Sequence, residues 1–264
     1  MYYEKLLESV IKSEQNPINK MYLHEIKMKW LKFTKIPKNE NNDEIIQFLN
    51  DFLKTLKQRK FNFEKKSGKG FKKSSAVFSV DYLKDLLSIF INRSKILDNN
   101  SAKWGIQSFS TNLKFNPTDL TSMKNNPSFE TSNSPNLMQL VQQVDVQFRT
   151  TGKRNFSKYN LNLPLIVFHI FKSISEDEFI KCNYIANLAK STFAKSKNII
   201  VVEHLDFVPN IPKSSIDAMF ILKKDFPKSD EISIDVVNAL EKNILKCLTK
   251  DEKSLEYQKT GILI

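Results

Sequence analysis

The sequence predicts an α+β protein in which a helical bundle is followed by a mainly antiparallel sheet covered by helices. In the first hundred residues apolar side chains recur at helical spacing, and from Leu137 onward the pattern changes to strands. With 264 residues, 41% of them apolar, and 20 phenylalanines, the chain is large enough to bury substantial cores. We therefore predict a helical domain at 1–98, a polar linker at 99–136 and an α+β domain at 137–264.

Four helices are predicted in the first domain. Tyr3, Leu6, Leu7 and Val10 share one face of the first helix, and Asn16 followed by Pro17 is typical of a capped helix start. Ser79 is in position to cap the fourth helix. The predicted helices cover residues 2–12, 18–34, 43–60 and 80–96.

A hairpin opens the second half. Val144, Val146 and Phe148 alternate with polar residues, and LPLIVFHIF is a continuous apolar run typical of a strand buried on both faces. The turn between the two strands is basic, so the hairpin has a cationic tip. The residues of this tip are Arg149, Lys153, Arg154 and Lys158.

Further elements follow the hairpin. Ser175 and Glu178 form a capping box at the start of a helix that we expect to end near residue 196. A strand is predicted at 198–203. Ser214 or Ser215 is expected to cap a helix at 216–222, and a last helix is predicted at 234–248.

Positive charge is concentrated near the end of the third helix. Between Lys54 and Lys73 eight lysines and one arginine accompany a single acid, Glu64, and the whole chain carries +12. Such a block, running into a loop at 61–78, favours a polyanion as partner, with counterion release supplying affinity. A solvated, flexible loop remains the alternative. The interleaved Phe61, Phe63 and Phe71 either pin this loop to the bundle or contact a partner.

Several function classes lack their signatures. Five glycines argue against glycine-rich phosphate or dinucleotide loops, and the three histidines and two cysteines form no zinc pattern. We expect no cofactor and no metal. Cys182 and Cys247 are predicted to be free thiols in an intracellular protein, because no signal peptide or membrane span is evident. His169 and both tryptophans are expected in the core.

The stretch from about Val144 to Lys224 resembles the centromere protein N (CENP-N) family of inner-kinetochore subunits. The resemblance is carried by the basic turn TGKRNFSKYN, the strand LPLIVFHIF, the helix FIKCNYIANLAKSTF, the strand NIIVVEHLDFV and the segment PKSSIDAMF. The segment MYLHEIKMKWLKF matches the leucine–tryptophan pattern of that family loosely. The resemblance implies a pyrin-like helical domain before a CENP-N/CENP-L homology-like domain.

That resemblance implies a non-enzymatic protein of the nucleus, located at the centromere and kinetochore. It implies binding to centromeric DNA and to nucleosomes with the histone H3 variant, through a basic groove between the two domains. Other inner-kinetochore subunits are implied partners. The module that binds a centromere protein L-like partner is expected to be absent here, and neither a membrane nor a small-molecule substrate is expected.

We therefore predict a DNA-binding protein whose lysines and arginines contact phosphates. One alternative is an RNA-binding or ribosome-biogenesis factor. Another is a metal-dependent or degenerate nuclease using Glu203 and Asp206. The predicted DNA-binding residues are Lys20, Lys27, Lys35, Lys54, Lys57, Arg59, Lys60, Lys65, Lys66, Lys69, Lys72, Lys73, Arg149, Lys153, Arg154 and Lys158.

Overall fold

A computed structural model describes residues 1–35, 41–66, 75–98, 101–106, 109–114, 128–132, 137–149, 156–248 and 262–263. In these ranges the α-helices are α1 (Tyr2–Ser13), α2 (Pro17–Thr34), α3 (Asn42–Lys66), α4 (Tyr82–Arg93), α5 (Glu176–Thr192) and α6 (Ile234–Leu248). The strands are β1 (Ala102–Gly105), β2 (Phe109–Lys114), β3 (Ser128–Ser132), β4 (Leu137–Arg149), β5 (Phe156–Phe171), β6 (Lys197–Val202), β7 (Ala218–Ile221) and β8 (Ile262–Leu263). Short 3₁₀ turns lie at Ser75–Phe78, Ile96–Asp98 and Ile211–Lys213.

The main sheet has six strands in the order β1-β4-β5-β6-β7-β8, and β2 and β3 form a separate antiparallel pair. The pairs β1–β4, β4–β5 and β7–β8 are antiparallel, whereas β5–β6 and β6–β7 are parallel. The sheet is therefore mixed rather than mainly antiparallel. Parallel neighbours end at the same edge, so β5, β6 and β7 present their carboxyl ends side by side.

The central strands are buried on both faces, as the run LPLIVFHIF predicts. On one face, even-numbered residues of β5 such as Phe168 join α1–α4 and α6 in the largest hydrophobic cluster of the described residues, which runs from Tyr3 to Ile244. On the other face, Val167 packs with Phe109 of β2 and Ala189 of α5. The sheet is thus a middle layer between the helical bundle and α5 with β2–β3.

The helical bundle is organised around aromatic side chains and one buried carboxylate. Trp30 is fully buried, 4.9 Å from Tyr3 and 4.5 Å from Phe33 between ring centroids. The Asp85 carboxylate of α4 accepts hydrogen bonds from the backbone N–H groups of Tyr2 and Tyr3, at 2.6 and 3.2 Å. These two donors would otherwise be unsatisfied in the first turn of α1, so Asp85 ties α1 to α4.

The α+β class and most predicted elements are confirmed, including the capping box of Ser175 and Glu178. The predicted helix at 216–222 is wrong, because Ala218–Ile221 is strand β7. The stretch 99–136 is not wholly a linker, since β1, β2 and β3 lie within it. Cys182 and Cys247 are both free, as predicted. Among the described residues no helix is long and apolar enough to cross a membrane.

Helix α3 is bound to the segment that leads into α6. Asn50 exchanges two hydrogen bonds with the backbone of Ile232, at 2.8 and 3.2 Å. Asn42, at the start of α3, donates to Asn238 and Glu241 of α6. These contacts hold α3 beside the 230–232 segment and α6, and other residues of α3, from Leu53 to Lys60, line a cavity at the carboxyl edge of the sheet.

Candidate active site

A cavity of about 390 Å³ opens at the carboxyl ends of β5, β6 and β7. Such strand ends are where open α/β sheets commonly bind ligands. The opposite wall comes from α3 and from the segment leading into α4. The cavity is lined by Leu53, Leu56, Lys57, Lys60, Phe78, Ser79, Tyr82, Lys172, Glu203, His204, Lys223, Phe226 and Asp230.

Two carboxylates and a lysine are joined at this cavity. Glu203 follows β6 and Lys223 follows β7; the Lys223 ammonium lies 2.7 Å from Glu203 Oε2 and 2.8 Å from Asp230 Oδ1. The Tyr82 hydroxyl donates to Glu203 Oε1 at 2.8 Å. The side chains of Glu203 and Lys223 are only 5% and 6% exposed, whereas that of Asp230 is 43% exposed. Asp230 is therefore the carboxylate that an incoming ligand meets first.

The protonation states follow from this arrangement. Burial acts to lower the pKa of Lys223, but the charges of Glu203 and Asp230 and their hydrogen bonds outweigh it and raise the pKa. Burial acts to raise the pKa of Asp230, and its bonds to Lys223 and Lys57 outweigh that effect and lower it. At neutral pH the site therefore holds an ammonium group and an ionised aspartate.

An aromatic pair forms another part of the wall. The rings of His204 and Phe226 stack at 4.3 Å with an interplanar angle of 27°. His204 Nε2 lies 3.7 Å from Asp206, while its buried Nδ1 has no hydrogen-bond partner in the described structure. Asp206 does not line the cavity. The acid that the structure brings to Glu203 is therefore Asp230, not the Asp206 predicted from the sequence.

The described residues contain no group of three His, Cys, Asp or Glu side chains placed to hold a metal ion. At this cavity Glu203 has both carboxylate oxygens engaged, by Tyr82 and Lys223, so it is not available to a cation. Asp230 is 43% exposed, and among the described residues its Oδ2 is bound only by the exposed Lys57, at 3.2 Å. Mg²⁺ is commonly bound by one or two carboxylates together with water and substrate phosphate. Asp230 therefore fits such an ion as its one protein carboxylate.

In the described structure, three lysines and one arginine of the predicted DNA-binding set are held in ion pairs. Lys27 pairs with Glu8 at 2.7 Å, Lys54 with Glu231 at 3.0 Å, Lys57 with Asp230 at 3.2 Å and Arg59 with Glu25 at 2.5 Å. Lys57 and Lys60 line the cavity. Lys20 and Lys35 are exposed on and just after α2. Part of the positive charge on α3 is thus compensated within the molecule.

The other predicted residues are described only in part or not at all. Lys65 and Lys66 lie in the last turn of α3, Arg149 at the end of β4 and Lys158 near the start of β5, but their side chains are not described. Lys69, Lys72, Lys73, Lys153 and Arg154 lie outside the described residues, as do residues 67–74 of the predicted loop at 61–78. The first part of that predicted loop, 61–66, is instead the end of α3, and Ser75–Phe78 is a 3₁₀ turn. Their role as phosphate contacts stays a prediction.

Sequence reasoning missed Lys223, Asp230 and Tyr82. Their signal was weak because the three lie in separate segments and carry no spacing pattern typical of a catalytic site. Lys223 follows a segment predicted to be helical, which would not place it beside Glu203. The parallel pairing of β6 and β7 does so, through the backbone bond from Lys223 N–H to the Glu203 carbonyl.

The chain is similar in structure to a chain of the BbvCI A2B2 tetramer, a restriction endonuclease. The match has a TM-score of 0.59 and 14% sequence identity, and covers 92% of this chain and 95% of the other. No protein-family model and no curated protein sequence matches. The shared feature is therefore the fold, over nearly the whole length of both chains.

This likeness corrects two predictions. The kinetochore role as a non-enzymatic nucleosome-binding protein is wrong, because the neighbour that shares the fold is a nuclease. The prediction that the chain is not an enzyme is wrong for the same reason. The comparisons do not involve the CENP-N family and leave the resemblance itself untested.

Proposed function

We propose that this chain is a nuclease that hydrolyses phosphodiester bonds of DNA at the Glu203–Lys223–Asp230 site. The observation that carries the proposal is the likeness to a restriction endonuclease chain over 92% of the present chain. The site supports it independently, because it combines a lysine with two carboxylates at the carboxyl edge of a sheet. A net charge of +12 suits a polyanionic substrate.

The solvent exposure and the charge of each residue at the site indicate its role in hydrolysis. In hydrolysis a water oxygen forms a bond to phosphorus and one phosphorus–oxygen ester bond breaks. The proton of the attacking water ends on a base, and the leaving oxygen takes its proton from a solvent water. Asp230, ionised and partly exposed, is the group able to accept the proton of the attacking water. Lys223 stays protonated and stabilises the negative charge that develops on the phosphate.

Glu203 and Tyr82 act on Lys223 rather than on the substrate. Glu203 is buried and holds the ammonium at 2.7 Å, while the Tyr82 hydroxyl fixes the other carboxylate oxygen. Asp230 would hold Mg²⁺, which supplies charge neutralisation at the phosphate oxygens when it is bound. The description of the bundle as pyrin-like is a prediction on which none of these roles depends.

The proposal is tested by incubating the purified protein with supercoiled plasmid DNA and Mg²⁺ and following its conversion to nicked and linear forms. We expect cleavage that stops on chelation of the metal. Asp230→Asn is expected to lower the cleavage rate by about 100-fold or more, because the proton acceptor and a metal-binding carboxylate are lost together.

Asp235→Asn is the matched control, since Asp235 is also a partly exposed acid paired with a lysine, Lys224, but does not line the cavity. We expect its rate to stay within about twofold of the native rate, as is usual for a surface ion pair. Intact plasmid under all metal conditions would contradict the nuclease proposal. Equal rates for both variants would contradict this assignment of the site.

A further inference from the structure

More lysines than carboxylates line the cavity at the carboxyl edge, and the proposed catalytic roles involve only one of these lysines, Lys223. Four lysines line it, Lys57, Lys60, Lys172 and Lys223, against the two carboxylates of Glu203 and Asp230. Lys223 is paired with both acids and Lys57 with Asp230, whereas Lys172 lies exposed just after β5. The lining therefore favours an anionic ligand.

The aromatic wall provides a second, independent feature. One face of the Phe226 ring is covered by His204, yet the residue is still 45% exposed. A large apolar ring that is held in place by a stacked neighbour and is still partly exposed is a surface on which a planar group can stack. Nucleobases stack on such rings with little dependence on sequence.

From these two features we propose that the cavity binds one unpaired nucleotide of the DNA substrate. The phosphate lies against Lys57, Lys60 and Lys172, and the base stacks on the exposed part of the Phe226 ring. The cavity volume of about 390 Å³ is in the range of small-ligand sites. This inference rests on the proposed function, since it names the part of the substrate that enters the same cavity.

Stacking on Phe226 restricts the form of DNA that can bind in the cavity. A base within a duplex has both faces covered by its neighbours, so it reaches Phe226 only from a strand end, from a single-stranded segment or after leaving the helix. A free nucleotide makes the same contacts without the free-energy cost of unstacking a base from a duplex. Its binding is measured without any cleavage.

The test is a titration of the full chain, in the presence of a chelator, with 2-aminopurine deoxyriboside 5′-monophosphate, following quenching of the base. We expect the nucleotide to bind at least tenfold more tightly than the corresponding nucleoside or inorganic phosphate. Phe226→Ala is expected to weaken nucleotide binding about fivefold or more, the low end of the effect of removing a stacking ring. Lys172→Ala is expected to weaken the nucleotide and inorganic phosphate but not the nucleoside.

Matched controls lie outside the cavity. Tyr184→Ala removes an exposed aromatic ring from α5, and Lys195→Ala removes an exposed lysine from the turn after it. Both are expected to bind like the native chain. The proposal is overturned by absent nucleotide binding, by equal affinity for nucleotide and phosphate, or by equal losses in cavity and control variants. Since no step here requires hydrolysis, failure of the plasmid assay leaves this result intact, and the reverse also holds.

Discussion

Replacing Lys223 by methionine is expected to lower the free energy of unfolding by about 3–5 kcal/mol. The substitution removes the only cation within ion-pair distance of Glu203 in the described structure and leaves a carboxylate that is 5% exposed. Breaking a buried pair from one side costs this much, because the remaining charge is desolvated and uncompensated. Urea unfolding followed by circular dichroism measures the change.

Two further variants test whether the loss of stability comes from breaking the Glu203–Lys223 ion pair. Lys224→Met changes the neighbouring lysine, which is partly exposed and paired with Asp235, and should cost at most about 1 kcal/mol. The double variant Lys223→Met with Glu203→Gln should be more stable than Lys223→Met alone, since a neutral amide still accepts the Tyr82 hydroxyl. A double variant that is less stable than Lys223→Met would contradict the assignment of the loss to an unpaired Glu203.

A second large effect is expected from His169 below neutral pH. Burial lowers the pKa of this histidine to about 4, whereas it titrates near 6.5 in an unfolded chain. Between these values the unfolded state binds the extra proton, so the native protein loses stability as the pH falls. Over the full window the loss is about 3 kcal/mol. His169→Gln should therefore gain that amount relative to the native chain between pH 7 and pH 4.

Asp85 is expected to act in the opposite direction. Burial raises its pKa to about 6 despite the hydrogen bonds from Tyr2 and Tyr3, so the folded state takes up a proton before the unfolded state does. That uptake stabilises the fold by about 3 kcal/mol as the pH falls from 6 to below 4. Relative to the native chain, Asp85→Asn should therefore lose that amount of stability over the same interval. Parallel stability–pH curves for native protein and both variants would refute these assignments.

The helices and the central hairpin were predictable because their apolar spacing is long and regular. Strand β7 was not, because residues 216–222 are a short apolar run that fits a buried strand as well as a helix. Ser214 and Ser215 also looked like helix caps. In the structure these two serines lie in a turn. The Ser215 N–H donates a hydrogen bond to Asn183, and the Ser215 hydroxyl contacts Asn187. Tertiary contacts, rather than local propensity, therefore determine the conformation of this segment.

The site could be predicted only through Glu203, which follows a recognisable strand. Lys223 and Asp230 reach it because β6 and β7 are parallel neighbours and because the 230–232 segment binds α3. Neither pairing leaves a local signal in the sequence. The basic block on α3 was read from charge alone, and charge counts cannot show that Lys54 and Lys57 are paired with acids more than 170 residues further along the chain.

The partners of α3 are far downstream, at separations of 173 residues for Lys57–Asp230, 182 for Asn50–Ile232 and 199 for Asn42–Glu241. A ribosome adding about 5–20 residues per second needs roughly ten to forty seconds to cover that distance. During synthesis Lys54 and Lys57 of α3 therefore lack their acidic partners for that time, and both are accessible to other polyanions in the cell. The edge of the sheet that holds Glu203 can close only after Asp230 has left the exit tunnel.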